Sequence, residues 1–244
     1  MAINPMHQFE VYKVGPEINL GGINLSFTNA SLFMTISAIL ISSLLFFGTK
    51  KKSLIPSKIQ LITEMSYTFI AKMINDTAGS SAKAFFPFVF TLFMFVLFCN
   101  MVGMLPYSFT VTSQIIVTFV LAATIFIGVT IIGFIKHGIK YLELFVPKGV
   151  PIVLLPLIIV IEIISYLARP VSLSVRLFAN MLAGHTMLKV FGGFVISLGL
   201  LGGWLPLSFA VALTGLEILV AFLQAYVFAI LTCIYLNDAL NLHH

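Results

Sequence analysis

Long apolar segments separated by short polar connections dominate this sequence. A helix needs about 20 apolar residues to cross the hydrocarbon core of a bilayer. The sequence therefore predicts an all-α integral membrane protein with spans at about 30–48, 84–105, 113–135, 150–201 and 207–236. No repeat or soluble region interrupts the pattern, so we expect residues 1–244 to form a single membrane domain.

Two of these predictions go beyond a simple crossing. Residues 84–105 and 113–135 are joined by the short uncharged stretch LPYSFTVT, which favours a transmembrane hairpin. Residues 150–201, taken as one helix, would extend about 75 Å at 1.5 Å per residue, far beyond a core of about 30 Å. We therefore expect this segment to be either two spans or one strongly tilted helix.

Residues 57–78 show a mixed pattern that is typical of an amphipathic helix. Such a helix lies at the membrane interface with its apolar face toward the acyl chains. The alternative is a soluble connector helix. The apolar positions that recur at helical spacing are Ile62, Met65, Phe69 and Met73, and the polar positions between them are Lys58, Gln60, Glu64 and Lys72.

The composition supports a membrane protein. Of the 244 residues 60% are hydrophobic and only 9% are charged, against about 25% in a soluble domain. The formal charge of +5 could indicate nucleic-acid binding, but the positive residues lie mostly at the ends of apolar segments, where they orient a membrane protein. We therefore expect a lipid bilayer as a partner and no nucleic acid.

Two lysine clusters predict the orientation of the chain. One follows the first span at Lys50–Lys52 and Lys58, and the other follows the third span at residues 136–148. Positive residues remain on the cytoplasmic or matrix side. The N-terminus is then expected on the opposite, proton-rich side.

No metal or cofactor site is predicted. Cys99 and Cys233 both lie in apolar segments, where a cysteine behaves as a small buried hydrophobe. We therefore expect neither a disulfide nor a metal pair from them.

A few polar side chains lie inside the apolar segments and are the candidates for function. A charged residue at the bilayer centre costs about 2.5–3.5 kcal/mol on insertion scales, so it normally faces a partner or a watery cavity. These residues are Glu162, Arg169, Arg176, Asn180, His185, Lys189, Glu217 and Gln224.

Helical spacing groups these residues into faces. Glu162, Arg169 and Arg176 are seven residues apart, and Asn180 follows Arg176 at i+4, so these four share one stripe. His185 is nine residues after Arg176 and points in a different direction. On the last predicted helix, Glu217 and Gln224 are again seven residues apart and share a face.

These residue types suit proton transfer through a membrane, which uses chains of carboxylates and histidines. Glu162, His185 and Glu217 fit such a relay, with Asn180 and Gln224 as orienting or water-binding groups. Each residue also has a structural alternative. Glu162 could pair with a cation, His185 could be a hydrogen-bonded packing residue, the two amides could bridge helices, and Arg169 and Lys189 could extend to the interface.

Arg176 is the hardest of these residues to explain structurally, because apolar residues separate it from either end of its segment. Arginine does not release its proton in proteins, so Arg176 cannot be a relay member. It can be a fixed charge that attracts a carboxylate and opposes proton leakage. No unpaired carboxylate is evident beside it in the sequence, which suggests that the partner carboxylate belongs to another subunit.

These motifs resemble subunit a of the membrane sector of F-type ATP synthases. The resemblance centres on SLSVRLFANMLAGH at 172–185 and extends to EILVAFLQAYVFAILTCIYLNDALNLH at 217–243, with support from FCNMVGMLPYSFT at 98–110 and LARP at 167–170. It implies a non-catalytic subunit of an enzyme complex that faces a rotating ring of c subunits, with b-type peripheral stalk subunits as further partners. Its last two segments would be long tilted helices against the ring.

The same resemblance implies roles for individual residues. Two aqueous half-channels would reach the ring from opposite faces of the membrane, and Arg176 would separate them. Glu162, Asn180 and Gln224 match polar positions linked to the channels. Many bacterial members carry glutamate where His185 stands and histidine where Glu217 stands, so the one-to-one transfer of those two roles stays open.

The exchanged pair and the ending YLNDALNLHH resemble mitochondrial and α-proteobacterial members. They imply a multi-pass protein of the bacterial inner membrane, or of the mitochondrial inner membrane. The alternative function is an autonomous proton-coupled secondary transporter, a class that also binds substrate at the midplane. That class is typically built from internal repeats, and the sequence contains none.

Overall fold

The computed structural model describes residues 9–14, 19–20, 23–24, 26–50, 56–105, 108–146 and 154–241. Within these ranges the chain forms the helices α1 (Asn29–Lys50), α2 (Lys58–Ala78), α3 (Phe86–Gly103), α4 (Ile115–His137), α5 (Leu155–Gly202) and α6 (Trp204–Leu240). Short 3₁₀ helices cover Ser80–Phe85, Val111–Ser113 and Gly138–Phe145, and the two-residue strands β1 (Asn19–Leu20) and β2 (Ile23–Asn24) pair antiparallel. Lys51, Lys52, Lys148 and the predicted span start at 150–153 lie outside the described residues.

Five helices of the described chain are long and apolar enough to cross a membrane. They cover Asn29–Lys50, Ser81–Gly103, Ile115–Leu142, Leu155–Gly199 and Trp204–Leu240. The prediction of an all-α, multi-pass membrane protein is confirmed. α2 is not one of the five, and its predicted position at the membrane interface stays a prediction.

The predicted segment 150–201 is one helix where it is described, and not two spans. α5 keeps helical geometry past the internal Pro170 and leaves it only at Gly199, whose φ of 62° lies in the left-handed region that glycine tolerates. The chain then reverses into α6 at Gly203, where a Cβ would lie 2.6 Å from the carbonyl oxygen of Gly199. Since 48 residues extend about 72 Å, α5 is long enough to require a strong tilt in a bilayer.

α6 is the central helix of the bundle and packs against α2, α3, α4 and α5. Its fully buried face has a small residue at every fourth position, namely Ala221, Ala225, Ala229 and Cys233. Small residues at this spacing let neighbouring helices approach closely without help from the hydrophobic effect, which is weak between helices in lipid. The pattern explains why α6 can be surrounded by four other helices.

α3 and α4 are consecutive apolar helices, as the predicted transmembrane hairpin requires, but they do not pack closely against each other. The two helices make at most a marginal contact, because α3 packs on α1 and α6 while α4 packs on α5 and α6. A short connection makes α3 and α4 neighbours in sequence but does not make them pack together. Both helices pack instead against α6, whose small residues allow a close approach.

α2 meets the bundle along one side and leaves another side uncovered. Ile70, Met73 and Ile74 are buried, whereas Ile62 and Met65 remain exposed. The helix begins at the N-cap Ser57, whose side chain accepts a hydrogen bond from the Gln60 amide. Of the predicted apolar positions, Met73 thus packs on the bundle, while Ile62 and Met65 lie on the uncovered side.

The amino-terminal segment 9–14 folds back over one end of the bundle. Asn29 holds it there by donating from Nδ2 to the carbonyl oxygen of Glu10, and Gln114 donates from Nε2 to the carbonyl oxygen of Phe9. At the other end, Lys136 Nζ donates to the carbonyl oxygen of Leu240 at 2.8 Å. We call these two ends the amino-terminal end and the lysine end.

Candidate functional site

His185 on α5 and Glu217 on α6 meet in the interior. His185 Nδ1 lies 2.9 Å from Glu217 Oε1, and the two side chains are only 11% and 4% exposed. The approach is close but is not aligned as a hydrogen bond. Neither oxygen of Glu217 has a hydrogen-bond partner among the described residues, and the same is true of His185 Nε2. Such buried polar atoms are normally satisfied by water or by a proton-transfer partner.

A second cross-helix contact lies deeper along the same pair of helices. Asn180 Nδ2 donates to Gln224 Oε1 at 2.9 Å. Gln224 is buried, and its Nε2 has no hydrogen-bond partner in the described part of the chain. Gln224 follows Glu217 by two helical turns, so the two contacts form consecutive steps along the α5–α6 interface, as the shared face of Glu217 and Gln224 predicted.

Arg176 points out of the bundle. It is exposed on α5, next to the exposed Val175, and makes no hydrogen bond or ion pair within the described ranges. A guanidinium left alone in lipid would be costly, so a side chain in this position calls for a partner from outside the chain.

Glu162 lies far along α5 from His185. It is half-buried near the start of α5 and has no hydrogen-bond or ion-pair partner among the residues that the structure describes. By helical rise it precedes Arg176 by about 21 Å, whereas His185 follows Arg176 by about 13 Å. The structure therefore separates Glu162 from the pair His185–Glu217, with Arg176 between them along the helix.

A cavity of about 880 Å³ opens at the amino-terminal end of the bundle. It runs between the segment 9–14, the end of α3 and the exposed side of α5. His185 forms part of its wall, together with Glu10, Lys189, Gly192 and Gly193. His185 is thus the residue through which the cavity meets buried Glu217.

The structure adds Asn100 to the candidate residues, which sequence reasoning missed. Asn100 on α3 is fully buried and donates from Nδ2 to the carbonyl oxygen of Ala221 at 3.2 Å. Its Oδ1 has no hydrogen-bond partner within the described chain, and Ala221 lies one helical turn beyond Glu217. A lone amide inside the apolar segment FCNMVG was the signal that could have identified it.

Two other polar residues have neighbours that their sequence positions did not indicate. Arg169, expected to extend to the interface, forms an ion pair with Asp238 on α6, with Nη1 3.2 Å from Oδ2. Lys189 lies in the wall of the cavity. Of the predicted polar set, the structure thus brings together His185 with Glu217 and Asn180 with Gln224, and it leaves Arg176 and Glu162 apart from them.

The fold and the site define a polytopic helical membrane protein with a line of polar groups inside its last two helices. A family model described as ATP synthase A chain matches residues 31–237. The chain belongs to this family, as the motif SLSVRLFANMLAGH predicted.

Relatives named ATP synthase subunit a are similar over almost their whole length. The protein from the α-proteobacterium Pelagibacter ubique is 77% identical over 100% of both chains. The protein from Rhizobium rhizogenes is 61% identical over 99% of this chain and 98% of its own, and that from a Chelativorans species is 58% identical over 100% of both.

Proposed function

We propose that this chain is the proton-conducting subunit a of an F-type ATP synthase and stands beside a rotating ring of c subunits. One observation carries the proposal. Arg176 is exposed and has no hydrogen-bond or ion-pair partner within the described chain, and along α5 it lies between Glu162, nearer the lysine end, and the pair His185–Glu217, nearer the amino-terminal end. A fixed charge in this position fits a barrier between two separate proton routes.

The first route begins at the amino-terminal end. Water in the cavity brings a proton to His185, which passes it to Glu217 across a distance of 2.9 Å. Gln224 and Asn180 continue the polar line along the interface toward the outer surface of α5. There the proton neutralises a carboxylate of the ring, which can then turn into the lipid without an exposed charge.

The second route ends at the lysine end. A ring carboxylate that arrives protonated meets the positive field of Arg176, which favours the ionised carboxylate and so promotes release of the proton. Glu162, on the same stripe of α5 and nearer the lysine end, is the acceptor that we assign to this route. Arg176 keeps its own proton and opposes direct passage between the routes.

The c-ring is the partner that supplies the carboxylate missing around Arg176, and b-type peripheral stalk subunits would hold this chain still while the ring turns. The bacterial relatives favour the bacterial inner membrane as its location. With the amino-terminal end on the proton-rich side, each proton that crosses 100 mV makes about 2.3 kcal/mol available for ATP synthesis.

Reconstitution separates this function from that of an autonomous transporter. The complete complex, the complex purified without this chain, and the chain alone are placed in vesicles, and proton uptake is followed with a pH-sensitive dye. We expect ATP-driven uptake only from the complete complex. Substantial proton flux through the chain alone would instead support the transporter.

A further inference from the structure

A second polar cluster lies near the lysine end, beside the proposed route through Glu162 but not part of it. It joins side chains of α4, α5 and α6 and of the 3₁₀ segment Gly138–Phe145 around a small enclosed space. Its central residue is Arg169. Arg169 and Arg176 are the two arginines of the whole sequence, and they lie seven residues apart on the same face of α5.

The contacts of Arg169 hold its guanidinium from several sides. The group lies 5.5 Å from the ring centre of Tyr166 and 5.2 Å from that of Tyr235, distances at which a cation is attracted by an aromatic face. Nη1 lies 3.2 Å from Oδ2 of Asp238. The charge of Arg169 is therefore balanced inside the chain, unlike that of Arg176.

Hydrogen bonds fix the cluster to the neighbouring helices. The hydroxyl of Tyr166 lies 2.7 Å from that of Thr130 on α4 and 3.0 Å from that of Tyr141. Tyr141 is buried with its ring directly against Gly133, which leaves no room for a larger residue there. The cluster is a built and closely packed feature, and the proton routes proposed above do not use it.

The position of Arg169 allows its charge to act on neighbouring residues of α5. By helical rise, Arg169 is about 10 Å from Arg176 and about 10 Å from Glu162, and charges at such distances interact appreciably at the low effective dielectric of a protein. An unbalanced Arg169 would therefore place a second positive field beside the route through Glu162. Proton-binding groups there would then release their protons more easily.

We propose that Asp238 is a positioning residue that neutralises Arg169, so that Arg176 remains the uncompensated guanidinium that a ring carboxylate meets. This inference rests on the proposed function and concerns the second proton route, which ends at the lysine end. The other groups that could influence this region are Tyr141, Tyr166 and Tyr235 within the cluster, Lys136 and His137 at the end of α4, and Glu162 on α5.

The test compares Asp238→Asn, Arg169→Gln and the double variant in reconstituted complexes. Proton-driven ATP synthesis is measured as a function of the pH on the lysine side. Asp238→Asn leaves an extra positive charge, which favours the ionised form of nearby carboxyl groups and moves the profile toward lower pH. Arg169→Gln leaves an extra negative charge and moves the profile the other way. The double variant should lie at the wild-type position.

We expect each shift to be smaller than the roughly 1–3 pH units that a directly adjacent charge causes. Asp238→Glu, which retains the charge, should keep the wild-type profile. A purely structural clamp would lower the amount of assembled complex without moving the profiles in opposite directions, and that outcome would overturn the inference.

Wild-type and Arg176→Ala complexes are measured in the same series. If wild type makes ATP and Arg176→Ala does not, the proposed function stands whatever the Asp238 variants show. If Arg176→Ala makes ATP normally, the proposed function itself has failed, and the two failures are thereby distinguished.

Discussion

The Glu217 carboxylate lies where a side chain at position 184 would begin. A Cβ on Gly184 would lie 2.7 Å from Glu217 Oε1 and 3.1 Å from its Cδ, so the flexible end of the Glu217 side chain would have to move. Gly184 immediately precedes His185, so the motif AGH provides both the histidine and the room for its carboxylate partner on α6.

Gly184→Ala should therefore displace the Glu217 carboxylate and slow proton transfer. Because this displacement disturbs the 2.9 Å approach of His185 Nδ1 to Glu217 Oε1, we expect ATP-driven proton pumping to fall by about tenfold, which corresponds to about 1.4 kcal/mol in the barrier. Gly128→Ala on α4 is the matched control, because a Cβ there meets no atom within 4 Å. Equal pumping by Gly184→Ala and Gly128→Ala would show that the close contact between Gly184 and Glu217 does not affect proton transfer.

Exchange of the pair tests whether His185 and Glu217 share one relay. The double variant His185→Glu with Glu217→His keeps one acid and one imidazole at the same contact, whereas each single change leaves two acids or two imidazoles. We expect the double variant to retain more proton flux than either single variant. A double variant no better than the worse single would separate the two residues functionally.

Labelling tests the assignment of the cavity to the amino-terminal end. A Cβ at Gly192 meets no atom within 4 Å, so Gly192→Cys should project its thiol into the cavity. A membrane-impermeant thiol reagent added on the amino-terminal side should modify it and block proton flux. The native Cys99 and Cys233 are buried and should contribute little background.

Lys140→Cys should react with the same reagent from the opposite side, together with a cysteine at position 51. Gly128→Cys, in the middle of α4, should react from neither side. The proposed topology places Gly192 and Lys140 on opposite sides of the bilayer. Labelling of Gly192→Cys and Lys140→Cys from the same side would therefore contradict it.

The number and type of helices followed from the sequence because span length and apolar composition are local properties. The packing of α3 and α4 on α6 did not follow, since it depends on the small residues Ala221, Ala225 and Ala229, which no span count reveals. Which side of α2 meets the bundle did not follow either, since its apolar residues lie on more than one side.

Part of the site could also be predicted. Helical spacing placed Glu217 and Gln224 on one face, but the partners across the interface depend on how α5 and α6 align after the turn at Gly203. Only the structure pairs His185 with Glu217 and Asn180 with Gln224. The last predicted span ends at 236, before Asp238, and the 69 residues that separate Asp238 from Arg169 gave no indication of their ion pair.

The most direct measurement is ATP synthesis by vesicles that contain the Arg176→Ala complex, with assembly checked on native gels. The account predicts a fully assembled complex with no proton-driven synthesis, because no fixed charge then holds the two routes apart or promotes release from the ring. Arg176→Lys should fail as well, since lysine keeps a charge but loses the planar, permanently protonated group. Near-normal synthesis by an assembled Arg176→Ala complex would contradict the account and leave Arg176 with a structural role.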